Sequence, residues 1–193
     1  MEMIKNHPII TVRIWHGSIP KWWIKQGNRT VFPLQFMGNN NLDVGGLFGG
    51  HVAVQLGDWV YGFYFGDINK LHWFPQKKCN CEFQKNSVQE WEVRVKLRKE
   101  TCFEIPVTDV QFQYLQAFYE RNLKETEVDY AVFGERCASQ TWRLLQETGI
   151  IEGGNKIFNA YYPGRLRKFL LNYCKKRGYS TWIKPGSNDR IWE

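Results

Sequence analysis

Cys137 is the residue whose type and position in this sequence best fit covalent chemistry. It lies in the segment 134–142, GERCASQTW, where a helical pattern of apolar residues begins. A thiol in the first turn of a helix lies beside unpaired backbone N–H groups and the positive end of the helix dipole. Both favour the thiolate and predict a lowered pKa. The same N–H groups can stabilise an oxyanion formed when the thiolate attacks a carbonyl. The alternative interpretation is a small cysteine packed in the core.

His51 is the predicted base. It opens a β-rich run directly after a glycine-rich stretch, and its imidazole can take the thiol proton and return it to a leaving amine or alcohol. Arg136, directly before the cysteine, adds positive charge if its side chain turns toward the site. The other three histidines, His7, His16 and His72, occupy the terminal segment, the end of the first strand and a loop, and are weaker candidates. A structural histidine at a strand end is the alternative for His51.

The elements that must position these groups follow the order strands first, then helices. Apolar runs predict strands at 8–15, 51–56, 59–65, 91–98 and 101–107, with a further short strand near 30–36 inside a long glycine-rich connection, 17–50. Helical spacing predicts helices after an N-cap at Thr108, from Cys137 to a C′ residue at Gly149, and over 165–177. A Gly57-Asp58 hairpin turn sets His51 opposite Tyr64. This order predicts one α+β domain, residues 1–193, with an antiparallel sheet packed against helices.

The positive net charge of +7 is concentrated at the C-terminus. Residues 1–155 contain 17 basic and 17 acidic side chains, whereas the basic C-terminal segment, 156–193, contains nine basic and two acidic ones. A polyanion or an anionic surface as partner would explain this excess. The plainer interpretation is the solvated face of a terminal helix followed by a charged tail.

The apolar composition indicates a packed globular protein with free thiols. The sequence is 43% hydrophobic, and it lacks a run of 18 apolar residues, so we expect no transmembrane segment. Its first residues lack the apolar region of a secretory signal. We therefore expect a cytoplasmic protein, or one exported without a cleavable signal peptide. Five cysteines in such a chain predict free thiols and no disulfide framework.

Four segments together resemble the circularly permuted branch of the NlpC-type, papain-like cysteine hydrolase superfamily. They are Gly49–Phe65, Ile105–Phe118, Val128–Ile150 and Tyr161–Leu170. The histidine strand precedes the cysteine helix, as in lecithin retinol acyltransferase-like relatives. The resemblance implies a permuted papain-like fold with Cys137 as nucleophile and His51 as base.

This resemblance also implies an activity. A cysteine peptidase or amidase acting on amide or peptide bonds, cell-wall peptides included, is the favoured function. Hydrolysis or transfer of lipid acyl groups is a less favoured one, because relatives that act on lipids share the permuted order.

The resemblance further implies a third polar residue that orients the imidazole, and a tyrosine ahead of the nucleophile. Relatives commonly carry His, Asn, Gln or Glu at the third place, whereas the hairpin register here offers Tyr64. Gln55, on the same strand face as His51, and His72, in the following loop, are the other candidates. Tyr130 matches the tyrosine ahead of the cysteine. It either helps to place a substrate carbonyl or packs under the helix.

Other functions remain open at this point. A non-catalytic binding module on the same fold would use the basic C-terminal surface. Cys79 and Cys81, with His72, could supply three zinc ligands, but the fourth is not evident, so we expect neither a metal nor another cofactor. The tail 181–192 mixes aromatic with basic residues, as single-stranded nucleic-acid sites do. No recognised motif accompanies it, so nucleic acid is an unlikely partner.

Overall fold

The computed structural model describes residues 7–20, 50–65, 74–76, 81–126, 129–131, 134–152 and 162–192. The strand predicted near 30–36 lies outside these residues. The strands are β1 Ile9–Trp15, β2 Ser18–Pro20, β3 His51–Leu56, β4 Trp59–Phe65, β5 Cys81–Ser87, β6 Glu100–Pro106, β7 Thr181–Lys184 and β8 Arg190–Trp192. The helices are α1 Val88–Arg94, α2 Asp109–Lys124, α3 Cys137–Glu147 and α4 Pro163–Arg177. Among the described residues, no helix is long and apolar enough to cross a membrane.

Six of the strands form one antiparallel sheet in the order β5-β4-β3-β1-β6-β7, and β2 pairs with β8 separately. The predicted α+β class with an antiparallel sheet is therefore confirmed. The charged tail expected after α4 contains two strands, β7 and β8. Its first strand, β7, extends the edge of the main sheet beside β6.

The two faces of the sheet carry different layers. Alternate residues of the central strands, such as Val52 and Val54 of β3, join the main apolar core with α2, α3 and α4. The residue between them, Ala53, belongs to a smaller cluster with Trp15 and Trp91, on the side covered by α1. The core helices thus pack on one face of the sheet and α1 packs on the other.

The prediction of a strand at 91–98 is wrong, because α1 occupies its first half. Ser87 caps this helix through a capping box, and the chain then turns. Trp91 and Val95 are fully buried four residues apart, whereas Val93 between them is 77% exposed. The apolar residues alternate in sequence, but the buried ones follow the helical period.

A buried ion pair anchors α1 to the sheet. Arg13 of β1 is 2% exposed and donates to both carboxylate oxygens of Glu100 on β6, at 3.1 and 2.8 Å. The indole nitrogen of Trp91 donates to the same carboxylate at 3.1 Å. Glu92 of α1 also pairs with Arg13. Because each charge has a hydrogen-bonded partner, the burial of the pair is tolerated.

The β3–β4 hairpin opens at the end that carries His51. Its pairing runs from Leu56↔Trp59 to Ala53↔Gly62, in the predicted register. β3 nevertheless continues to pair with β1 as far as Trp15↔His51, and β4 with β5 as far as Phe65↔Cys81. The two central strands therefore separate over the first two residues of β3.

Candidate functional site

The first turn of α3 holds Cys137 at this open end of the hairpin. The helix begins where predicted, with Arg136 as an extended N-cap residue. The Ser139 hydroxyl accepts a hydrogen bond from the Arg136 N–H at 2.8 Å, which fixes the turn. Cys137 itself is 5% exposed. The thiol is therefore well fixed and almost fully shielded from solvent.

Three donors converge on the Cys137 sulfur. They are the backbone N–H groups of Val52 and Ala138 and the hydroxyl of Tyr130. Each favours the thiolate, and so does the positive charge of Arg136. Burial nevertheless outweighs all of them and raises the thiol pKa. The expected lowering of this pKa is therefore wrong for the shielded state of the site, because helix-start stabilisation does not compensate for lost hydration.

His51 lies in an aromatic enclosure on the α1 side of the sheet. Its ring stacks on Tyr64 at 4.2 Å between centroids, and lies 5.1 Å from Trp15 and 6.4 Å from Trp91. Burial lowers the imidazole pKa to about 3, and the nearby charges of two arginines contribute to this shift. The imidazole is therefore neutral at physiological pH.

The backbone of Val52 connects the thiol to the histidine strand. Val52 directly follows His51, and its N–H donates to the sulfur. The Nε2 atom of His51 is buried without a hydrogen-bond partner among the described residues. The structure thus brings Cys137 to the first residues of β3 on the core side of the sheet, whereas the His51 ring lies on the α1 side and its Nε2 atom makes no hydrogen bond with the thiol. Thiol and imidazole are both neutral at rest.

The three candidates for an orienting third residue have different positions. Tyr64 touches the imidazole through its ring face, and its buried hydroxyl has no partner among the described residues. Gln55 is engaged elsewhere: it accepts from Arg13 at 3.1 Å and donates to the Gly57 carbonyl at 3.1 Å. His72 lies outside the described residues. In the described part of the chain, His51 is therefore held by stacking, and neither Tyr64 nor Gln55 hydrogen-bonds it.

Tyr130 lies beside Cys137. Besides its hydroxyl contact with Cys137, its ring packs 5.2 Å from Phe63. A bridge to Glu135 fixes its backbone before α3 begins. Burial raises the pKa of the phenol, so it stays a donor. Packing and substrate placement are therefore compatible roles for this residue.

Several residues that shape the site were not identified from the sequence. Gly62 leaves room for the neighbouring ring, since an added Cβ would lie 2.4 Å from Cε2 of Tyr64. Arg94 lies 4.7 Å from the centroid of the Tyr64 ring, and Arg98 lies 4.6 Å from that of Trp15. A glycine inside an aromatic strand was the one available signal, because it often marks close approach of another group.

The described residues contain no cluster of three His, Cys, Asp or Glu side chains that could hold a metal ion. Two members of the zinc alternative, Cys79 and His72, lie outside them. Cys81, Cys102, Cys137 and Cys174 are free thiols, as predicted.

Comparisons with protein-family models, with curated proteins and with solved structures find no match for this chain.

Proposed function

We propose that this protein is a thiol hydrolase of permuted papain-like architecture, with Cys137 as nucleophile and an amide or peptide bond as substrate. The observation that carries the proposal is the set of donors around one sulfur: two backbone N–H groups, from Val52 and Ala138, and the Tyr130 hydroxyl. Donors arranged in this way can stabilise a thiolate before attack and an oxyanion after it. An inert core cysteine requires no such set.

The proposed reaction proceeds through a thioester. The His51 ring first turns from the α1 side of the sheet toward Cys137, between the separated ends of β3 and β4. The Cys137 thiol then transfers its proton to His51, and the sulfur attacks the carbonyl carbon to form a C–S bond while the carbonyl π electrons move to oxygen. As the tetrahedral intermediate collapses, the C–N bond breaks and the imidazolium gives its proton to the leaving amine. Water, deprotonated by His51, then hydrolyses the thioester and releases the acid and the free thiol.

The Cys137 thiol and the His51 imidazole are both neutral in the free protein, so substrate binding must make the proton transfer between them favourable. Proton transfer from a thiol with a raised pKa to an imidazole with a pKa of about 3 is unfavourable in the shielded site. A bound carbonyl supplies a polar partner at the sulfur and draws the imidazole toward the leaving group. We propose that ionisation accompanies substrate binding and that the free enzyme holds no thiolate–imidazolium pair.

Acylation by p-nitrophenyl acetate tests the nucleophile. We expect a burst of p-nitrophenol and a thioester mapped by mass spectrometry to Cys137. The burst should disappear in Cys137→Ala and persist in the matched variant Cys174→Ala, which removes another fully buried thiol. His51→Ala should slow the burst at least tenfold. Equal acetylation of all cysteines, or a burst unchanged in Cys137→Ala, would refute the assignment.

A non-catalytic binding module is the second candidate. It is favoured by the unpartnered Nε2 atom of His51 within the described structure and by the imidazole pKa near 3. The same experiment separates the two. Absence of any burst and of any labelled cysteine, in a protein shown to be folded by circular dichroism, favours the binding module.

A further inference from the structure

The outer face of α4 carries a row of cations. The exposed basic residues of this helix are Arg165, Lys168, Lys175, Lys176 and Arg177. Arg177 pairs with the exposed Glu152 at 3.8 Å. Within the described structure, the three lysines have no carboxylate partner. Much of the excess charge of the C-terminal segment is thus free for an external anion.

All of these cations except Lys175 line shallow depressions on the surface of α4. Two shallow cavities lie along α4, with volumes of about 290 and 200 Å³. The first is lined by Arg165, Lys168, Phe169 and Asn172, and the second by Glu152, Phe169, Asn172, Tyr173, Lys176 and Arg177. Both are lined by Phe169 and Asn172, and we call the two adjoining depressions together the α4 groove.

The helix that carries the α4 groove begins next to the candidate active site. Pro163, the first residue of α4, lies against Gly50, which directly precedes His51: a Cβ added to Gly50 would lie 3.3 Å from the Cβ of Pro163. Gly50 has a φ of 108°, so its close packing depends on glycine. From Arg165 to Arg177 the helix rises about 18 Å, the length of five or six extended residues.

We infer that the α4 groove binds an acidic peptide segment of the substrate and guides the adjoining amide bond to Cys137. The choice of a peptide rests on the proposed function, because the substrate proposed there is an amide or peptide bond. The concave path with Phe169 at its centre fits an extended chain better than a membrane surface. The lysines supply the charge complementarity that selects carboxylates.

Binding can be measured without turnover by using full-length Cys137→Ala protein. Fluorescence anisotropy with fluorescein-labelled hexaglutamate should show salt-sensitive binding, and hexaglutamine should bind at least tenfold more weakly. The double variant Lys168→Glu/Lys176→Glu should lose at least tenfold in affinity for hexaglutamate. The control Lys96→Glu/Lys124→Glu makes the same change in net charge at exposed lysines outside the groove and should lose less than threefold.

The outcomes separate this inference from the proposed function. An equal loss of affinity for hexaglutamate in the groove and control variants would refute binding of an acidic peptide in the α4 groove. Equal binding of hexaglutamate and hexaglutamine would refute it as well. Stronger binding of an oligothymidylate or of phosphatidylserine vesicles than of hexaglutamate also overturns the peptide assignment. Groove binding that survives while the acyl-enzyme burst is absent leaves the groove intact and refutes the hydrolase. Circular dichroism of each variant verifies folding.

Discussion

Replacing His51 with phenylalanine should make the protein less sensitive to acid. The imidazole lies between aromatic rings and carries a buried nitrogen without a partner among the described residues. A phenylalanine ring keeps the stacking on Tyr64 and Trp15 and removes that nitrogen. We therefore expect the free energy of unfolding of His51→Phe to equal or exceed that of the parent at pH 7.

The size of the effect follows from the pKa of the imidazole. Folding holds it at about 3, against an ordinary value of 6.5. The unfolded chain therefore binds the proton more readily, and stability falls as pH decreases from 6.5 toward 3. At pH 4 the unfolded imidazole is protonated and the folded one is neutral, which costs the parent about 3 kcal/mol relative to pH 7. His51→Phe has no such loss.

Urea unfolding at pH 7 and pH 4 measures this difference. Folding lowers the pKa of some carboxylates, such as Glu92 with its Lys184 and Arg13 partners. Their contribution to stability is lost on acidification in both proteins, so it cancels when the two proteins are compared. The control His7→Phe replaces an exposed histidine and should follow the parent. An equal loss between pH 7 and pH 4 in the parent and in His51→Phe would refute a buried neutral imidazole.

Two further substitutions test the packing around the site. Gly62→Ala should cost about 1–3 kcal/mol in urea unfolding, because the added Cβ collides with the Tyr64 ring. If the collision is the cause, Gly62→Ala should cost much less in a Tyr64→Ala background, and an unchanged cost would contradict it. Ser87→Ala should cost about 1 kcal/mol through loss of the cap on α1. Unchanged stability in the same assay would show that the capping box contributes nothing.

Local signals in the sequence predicted most of the fold. Gly57-Asp58 fixed the hairpin register, and Thr108 marked the start of α2, because both act through neighbouring residues. The segment 91–98 was predicted wrongly because its apolar alternation also fits a helix that buries only Trp91 and Val95. The Ser87 cap was the local signal that distinguished the two.

The positions of Cys137 and His51 in the fold were more predictable from the sequence than their pKa shifts were. A helix-start cysteine and a strand-start histidine are sequence features, and the structure does bring α3 to the start of β3. Their pKa shifts depend on burial by distant segments: Trp15, Tyr64 and Trp91 enclose the imidazole from three separate elements. No local sequence pattern indicates such desolvation. For the same reason the predicted lowering of the Cys137 pKa was wrong, because burial raises this pKa.

Because burial raises the pKa of the Cys137 thiol, the reactivity of this site would depend on which substrate binds. An exposed thiolate reacts with any electrophile that reaches it, whereas the Cys137 thiol keeps its proton while the site is shielded. If ionisation depends on a bound carbonyl, binding energy from remote parts of the substrate can be used to drive it. The α4 groove, on the helix whose first residue lies beside Gly50, would supply that energy by binding an acidic segment. Attachment of an acidic segment to an ester such as p-nitrophenyl acetate should then raise the rate of Cys137 acylation above that of the ester alone, and raise it more than it tightens binding.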